Sequence, residues 1–411
     1  MVKGLKTCIF SIAKRFQIAS DMHHCHRFKN ILRIVYSASE PVRVMHVVHS
    51  MGAGGMENGV VNVIRELQGD GFAFGVACLT VAGPFRNRLP GDVPVVELHK
   101  QGGLSPRLVQ RLARSFVDFR PHVVHTHNWA PLIYGVFARG LAGRVRILHG
   151  EHAQLSPAEL LPWRLWSRRL LYRMVERIHT VSQAQRQELI SLGFAGSKIE
   201  AVVNGVDVQR FAPALDPAAV RSSLGLPGDA LVIGMVGRFG PFKRHKDLVQ
   251  AFEAIADSNP KARLLLVGGS GSLEQEVIQR VAASPFKDRI KLTGFMADPL
   301  SAYQAMDLLV VPSLNEGLSN AALEAMAARV PVLAHDACGN AELIGGSNAG
   351  WVRSLQSPEQ LAQALNFCLG SSLKLTENAK CARERASQCF SMQSMTEGYR
   401  SLYTKVVQGD N

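Results

Sequence analysis

No two cysteines of this chain form a C-x-x-C pair, and the seven present (Cys8, Cys25, Cys78, Cys338, Cys368, Cys381, Cys389) are odd in number. That argues against a disulfide framework and for reduced thiols in the cytoplasm. Apolar runs are strand-length, well short of the roughly 18 residues of a membrane span. No zinc-finger spacing, RNP-like aromatic strand or heptad zipper accompanies the net charge of +13, so nucleic acid is not an expected partner. No G-x-G-x-x-G follows the first strand, and no acidic residue ends a second strand at the distance a dinucleotide fold requires, which argues against hydride transfer. Asp-x-Asp, a carboxylate pair that holds diphosphates through a divalent ion, is absent as well.

What is present describes a globular chain: 411 residues, 47% hydrophobic and 19% charged, enough for two domains each with its own core. The charge is uneven. Residues 1–41 carry 7 Lys and Arg against 2 Asp and Glu, residues 42–212 carry 20 against 12, and residues 213–411 carry 19 of each. A basic first half reads either as a solvated surface or as attraction to an anionic lipid surface. Residues 1–41 form a basic N-terminal extension without the small-residue cleavage site of a secretory signal. Its HHCH run (23–26) lacks the distant partners of a metal site.

From residue 43 apolar strands alternate with helical segments, from VRVMHVVHS and MENGVVNVIRELQG through IHTVS. Repeated β-α order implies a parallel sheet covered on both faces. PALDPAAVRSSLGLPGD has the Pro, Asp and Gly of a linker, and LVIGMVGR restarts the pattern. The expected division is 42–212, 213–392 and a final helix over 393–411.

EGLSNAALE carries the densest chemistry. It follows the apolar strand LLVVPS and enters the helical run AALEAMAA, with Glu316 and Glu324 eight positions apart. A helix N-terminus behind a Gly turn binds anions, through unpartnered first-turn N–H groups and a positive dipole end. Two carboxylates there repel a diphosphate unless they serve hydroxyl groups while the backbone serves phosphate. A ligand offering both is a nucleotide sugar. The glutamates are not placed as a glycosidase pair, since one precedes the helix and the other lies in its second turn. Gly52, Gly54 and Gly55 after the first strand suit close approach of backbone to a ligand. Arg238 offers a planar fork to phosphate oxygens and Lys243 a point charge.

Five segments in order resemble glycosyltransferase family 4, the retaining GT-B enzymes: SMGAGGMEN (50–58), HGEH (149–152), NGVD (204–207), VGRFGPFK (236–243) and the paired-glutamate segment. The wording of GGMENGVVN, ELHKQGG and ILHGEH is most similar to bacterial sugar transferases of exopolysaccharide clusters. The resemblance implies a GT-B fold: two Rossmann-like α/β domains facing a central cleft, with the final helix (Gln393 to Val407) crossing back to the first. It implies transfer of a sugar from a UDP- or GDP-linked donor to a glycan or polyprenyl-linked acceptor, at the inner face of the plasma membrane when the acceptor is lipid-linked. Arg238 and Lys243 would neutralise the diphosphate, Glu316 would meet donor-sugar hydroxyls and Glu324 the ribose. Gly54 and Gly55 would line the donor site. Backbone N–H groups of Gly317, Leu318 and Ser319 would meet the diphosphate or sugar. HGEH supplies a histidine at the reacting centre; His152 is favoured, with His149 turned back along the strand. No metal and no cofactor are expected.

Other features bear on these expectations. Glu151 is placed to raise a neighbouring histidine's pKa. His125 and His127 share a strand face, as half a metal site or as sheet-edge histidines lining a cleft. PWRLWSRRLLYRMVER puts Trp163 and Trp166 on one side and Arg164, Arg168, Arg169 and Arg173 largely on the other, either packing on the sheet or facing a membrane. Arg244, VGGSGSLE (267–274) and Ala341 depart from the family pattern, and the second puts nucleotide-base contacts in doubt. A nucleotide-sugar epimerase or hydrolase, or a non-catalytic partner of the same fold, are the alternatives.

Overall fold

The computed structural model describes residues 40–409 except 144, 270 and 347; the chain up to residue 39, with its HHCH run, lies outside the described residues. Seven strands make the first sheet: β1 (Val42–Val48), β2 (Phe72–Cys78), β3 (Val95–Glu97), β4 (Val123–His127), β5 (Arg146–Glu151), β6 (Arg177–Thr180) and β7 (Ile199–Ala201). They run parallel in the order β3-β2-β1-β4-β5-β6-β7. The second sheet holds β8 (Leu231–Val236), β9 (Ala262–Val267), β10 (Ile290–Gly294), β11 (Leu308–Val311), β12 (Val332–His335) and β13 (Gly350–Arg353), parallel in the order β10-β9-β8-β11-β12-β13. Both sheets are buried on both faces, which is why their central strands read as near-continuous apolar runs.

Each sheet winds one way from its first strand and then the other. The switch points, β1/β4 and β8/β11, open a crevice at the carboxyl ends of the strands, where such folds take ligands. Residues from Pro41 onward form one compact unit, and the two crevices face each other. Contacts across the gap are apolar as well as polar: Val181 shares a core with Leu318 and Leu323, and hydrogen bonds cross beside it. Asn320 Nδ2 donates to Gly55 O (2.7 Å), Asn58 Nδ2 to Glu324 Oε1 (3.2 Å), and Ala184 N to Glu342 Oε2 (2.9 Å).

The last helix, Met392–Gln408, packs on the first sheet through Met395, Tyr399, Leu402, Tyr403 and Val406. They share a core with Val44, Phe74 and Leu148, and burying each large apolar side chain contributes about 1.5–3 kcal/mol.

The helix Pro162–Arg173 does not pack as either side of its sequence pattern suggested. Trp163 and Trp166 are 45% and 55% exposed, whereas Arg168 is 1% exposed. Arg168 is drawn inward by Glu151, to which its Nε donates at 3.0 Å, and stacks over Trp129.

Candidate active site

The cleft encloses a cavity of about 380 Å³. The second sheet contributes Arg238 and Lys243 after β8, and Glu316, Leu318, Ser319, Asn320 and Glu324 after β11. The first contributes Gly54 and Gly55 after β1, Asn128 after β4 and His152 after β5. Most residues singled out in the sequence therefore line one cavity, from loops that share only their position at strand ends.

Two do not. Gly317 lies against the first domain, where a Cβ would stand 2.6 Å from His152 O and 2.7 Å from Val181 Cγ2. That glycine serves domain approach rather than the cavity wall. His149 is fully buried, bonded to Thr126 Oγ1 (3.0 Å) and Glu151 Oε1 (3.2 Å). Strand alternation explains it: along HGEH, His149 and Glu151 face one side of the sheet, Gly150 and His152 the other.

The cavity is electrostatically mixed. Lys243 Nζ donates to the Glu316 carboxylate, which is 12% exposed. Glu324 accepts from Tyr303 Oη at 2.8 Å and from Asn58. Burial raises the Glu324 pKa to about 7, against the opposing effects of Tyr303, Arg210 and Arg88. Glu57, in the first turn of the helix Gly55–Leu67, is also raised by burial, opposed by its own backbone N–H and by Arg238. Gly54 keeps this corner open: a Cβ there would meet Glu57 Oε2 at 2.3 Å and Arg238 Cζ at 3.6 Å. Ser319 caps the helix Asn320–Ala327, its Oγ accepting from Ala322 N at 3.3 Å. The positive end of that helix thus lies at the cavity wall.

Sequence reasoning missed Glu57, Asn58, Arg88, Arg210 and Tyr303. Glu57 and Asn58 sit inside GGMEN, and Arg210 three residues beyond NGVD, so the motifs marked the place but not the side chains. Arg88 lies on a 3-10 turn, Pro84–Arg88, which carries no pattern.

The histidines of the first sheet correct one expectation and qualify another. His125 and His127 do not line the cleft; they are 0% and 2% exposed. Glu151 does push the His152 pKa up, as expected, but burial outweighs that carboxylate and the value falls to about 4. Glu151 is itself pushed up by burial but held well below the usual carboxylate range by Arg168, His149 and Tyr172.

Two triads, His46/His125/His127 and His127/His152/His179, bring ring nitrogens within 4.8 Å of one another. The His46–His127 and His127–His152 contacts are 2.8 Å hydrogen bonds, and each occupies a lone pair that a metal would need. Nitrogens around tetrahedral zinc stand about 3.3 Å apart. The rings are arranged as a hydrogen-bonded chain.

A fold of two facing doubly wound sheets, with basic groups, carboxylates and a helix N-terminus in the cleft, defines a GT-B sugar transferase. Glycosyltransferase Family 4 matches residues 53–210 and Glycosyl transferases group 1 matches residues 218–386, one over each half. The chain is a GT-B glycosyltransferase of this group 1 and family 4 type, related to diverse bacterial sugar transferases. It is 27% identical over 360 residues to a D-inositol 3-phosphate glycosyltransferase of Kineococcus radiotolerans, covering 80% of each chain. It is 26% identical to the UDP-Gal:alpha-D-GlcNAc-diphosphoundecaprenol alpha-1,3-galactosyltransferase of Escherichia coli, covering 69% of this chain and 76% of that one. Among solved structures it is similar to Anabaena HepE in complex with UDP-glucose (TM-score 0.78, 22% identity, 88% of this chain and 99% of that one). A sucrose-phosphate synthase of Thermosynechococcus elongatus gives a TM-score of 0.76 at 21% identity, covering 90% and 100%.

Proposed function

We propose that the protein moves a sugar, with retention and without a metal, from a UDP- or GDP-linked donor to a glycan or polyprenyl-linked acceptor in exopolysaccharide or envelope polysaccharide synthesis. The observation that carries this reading is the cavity itself. It combines Arg238, Lys243 and a helix N-terminus, suited to a diphosphate, with Glu316 and Glu324, suited to hydroxyls. The solved HepE complex with UDP-glucose supports the donor class, and the Escherichia coli relative named for a diphosphoundecaprenol substrate supports the acceptor class.

In this reading residues 213–392 hold the donor, residues 42–212 the acceptor, and the final helix, Met392–Gln408, ties the two together. Lys243 and Arg238 stabilise the departing diphosphate as charge develops on it. The acceptor hydroxyl attacks on the face the phosphate leaves, and the departing phosphate takes its proton. Domain closure aligns the two reactants. His152, at the end of β5, touches the sugar or the acceptor. Leu318 and Ser319 offer backbone N–H groups beside the diphosphate.

No helix among the described residues is long and apolar enough to cross a membrane. Contact with an anionic bilayer is assigned instead to Leu160, Leu161, Trp163 and Trp166, all exposed, with Arg169 and Arg173 beside them.

The test is nucleotide release from UDP-, GDP- and ADP-sugars, with and without lipid-linked acceptor extract, in chelator, and with Glu316→Ala. Release from one donor that needs the extract, persists in chelator and disappears in the variant supports the proposal. An anomeric proton coupling in the product that matches the donor's supports retention. Acceptor-free loss of a donor would replace transfer with hydrolysis, and turnover restored only by manganese would overturn metal independence.

A further inference from the structure

Arg244 departs from the family pattern, and its backbone takes a conformation that glycine favours. It holds φ 64° and ψ 38°, the left-handed region that a residue with a Cβ seldom enters. Its guanidinium is withdrawn from water as well, with the side chain only 7% exposed. Two unfavourable features at one residue, beside a cleft, point to a compensating role.

The side chain makes two contacts. Its Nε donates to Asp247 Oδ2 at 2.7 Å, in the first turn of the helix His245–Ala256, and its Nη1 donates to Leu355 O. Leu355 lies just beyond β13 with its side chain wholly buried, and its N–H donates to His335 Nδ1 at 3.0 Å, at the end of β12. Arg244 therefore ties the segment after β8 to the far strands of the second sheet, 111 residues on.

Lys243 lies next to this tie. Pro241–Lys243 is a single 3-10 turn, closed by Lys243 N donating to Gly240 O at 3.1 Å. On its other side the turn is held at Phe242, whose O accepts from Leu314 N at 3.1 Å, and Leu314 belongs to the loop that carries Glu316. Both neighbours of Lys243 are thus fixed, Phe242 to the β11 loop by its backbone and Arg244 to the β12 and β13 ends by its side chain. A lysine carries its charge on a flexible four-carbon stem, so the place of the ammonium depends on how firmly the backbone beneath it is held. Glycine at 244 would make the left-handed turn without strain, but it could not make the tie.

We propose that Arg244 is a positioning residue for Lys243: by fastening the turn to Leu355, it holds the ammonium where a diphosphate meets it. Arg244 itself is not among the residues that line the cavity. The inference rests on the donor reading of Lys243 given above and adds a residue that acts through it.

The test is calorimetric titration of the full-length protein with UDP and with GDP, for wild type, Arg244→Gly, Lys243→Met and the double variant. Arg244→Gly relieves the strain and removes the tie. It should weaken the tighter-binding nucleotide about five- to ten-fold, the scale of one hydrogen bond. In the Lys243→Met background the same substitution should have no further effect, because no ammonium is left to place. Arg244→Asn, which tolerates the left-handed backbone but is too short to reach Leu355, should behave as Arg244→Gly does. Equal weakening in both backgrounds, or undiminished binding in the single variant, overturns the proposal. So does failure of both 244 variants to fold, which would make the arginine a purely structural tie. The titration is read without turnover. The expected binding pattern in a protein that transfers no sugar defeats the proposed activity alone, and wild-type affinity in Arg244→Gly defeats the positioning alone. Failure of either nucleotide to bind the wild type would overturn both.

Discussion

Lys243 donates to Glu316 across the mouth of β8 and β11, so the residue suited to a diphosphate and the residue suited to a sugar hydroxyl hold each other in the cleft. A bound donor has to divide them: its diphosphate competes for the ammonium, and its sugar hydroxyls replace the ammonium at the carboxylate. The pair keeps both side chains placed until that exchange. Lys243→Met should lower kcat about 10²- to 10³-fold, the usual effect of removing one group that stabilises developing charge. Glu316→Gln should lower kcat/KM comparably. Because the two act together, the double variant should fall well short of the product of the single effects. Steady-state nucleotide release measures all three, and a fully multiplicative double variant would show the two to be independent.

Glu324 titrates near pH 7 because burial disfavours its charge. Above pH 7 the carboxylate can accept from two hydroxyls; below it, one oxygen becomes a donor. Donor KM should therefore rise as pH falls through 7, and this limb should be absent in Glu324→Gln. Stability runs the other way. The folded pKa lies above the ordinary 4.5, so ionisation costs the folded state, and stability is gained as pH falls from about 7 towards 4.5. Glu324→Gln should stabilise the protein by roughly 1–3 kcal/mol at pH 8.5 and have little effect at pH 5. Urea melts at the two pH values give the answer, and equal shifts at both would reject the assignment.

Much of this cleft was legible because its residues lie at strand ends, where apolar runs stop and glycines begin. VGRFGPFK and EGLSNAALE declared both the element boundary and the chemistry. What the sequence hid depends on which face of an element a residue takes and on what comes from elsewhere in the chain. His149 and His152 are equivalent as letters, and only the pleat separates them. Arg168 reads as a solvated helix charge, yet Glu151 on β5 draws it into the core while two tryptophans stay outside. The edge strands β3 and β13, three and four residues long, were too short for a period to register. Tyr403 joins the histidine chain from more than 220 residues away, and no local pattern announces it.

The Arg168–Glu151 pair is buried, with side-chain exposures of 1% and 4%, and Tyr172 and His149 also bond to the carboxylate. Removing one partner strands a charge. Arg168→Met should destabilise the protein by about 3–5 kcal/mol, and adding Glu151→Gln should recover part of that loss. The carboxylate is held below its ordinary range, so its stabilisation is complete above about pH 4.5 and is lost as pH falls towards the lower folded value. Chemical denaturation at pH 7 and pH 3 should show the gap between wild type and Arg168→Met narrowing in acid. A gap that stays constant would mean that the arginine contributes packing over Trp129 rather than charge.

The outward tryptophans of the helix Pro162–Arg173 make the membrane reading testable without disturbing the core. Trp163 and Trp166 are exposed, as are Leu160 and Leu161 just before them in the chain. Arg169 and Arg173 are exposed on the same helix, so an apolar edge and positive charge occur together. Each surface cation near an anionic bilayer contributes about 1 kcal/mol, screened by salt, and indole rings favour the headgroup level. The protein should float with vesicles containing anionic lipid at low salt and not with neutral ones. Trp163→Ser with Trp166→Ser should cut the bound fraction several-fold while leaving the melting temperature close to wild type, because neither ring is part of the core. Flotation equal to wild type in the double variant would free this helix of any role at the membrane and send the search for the attracting charge elsewhere in the basic first half.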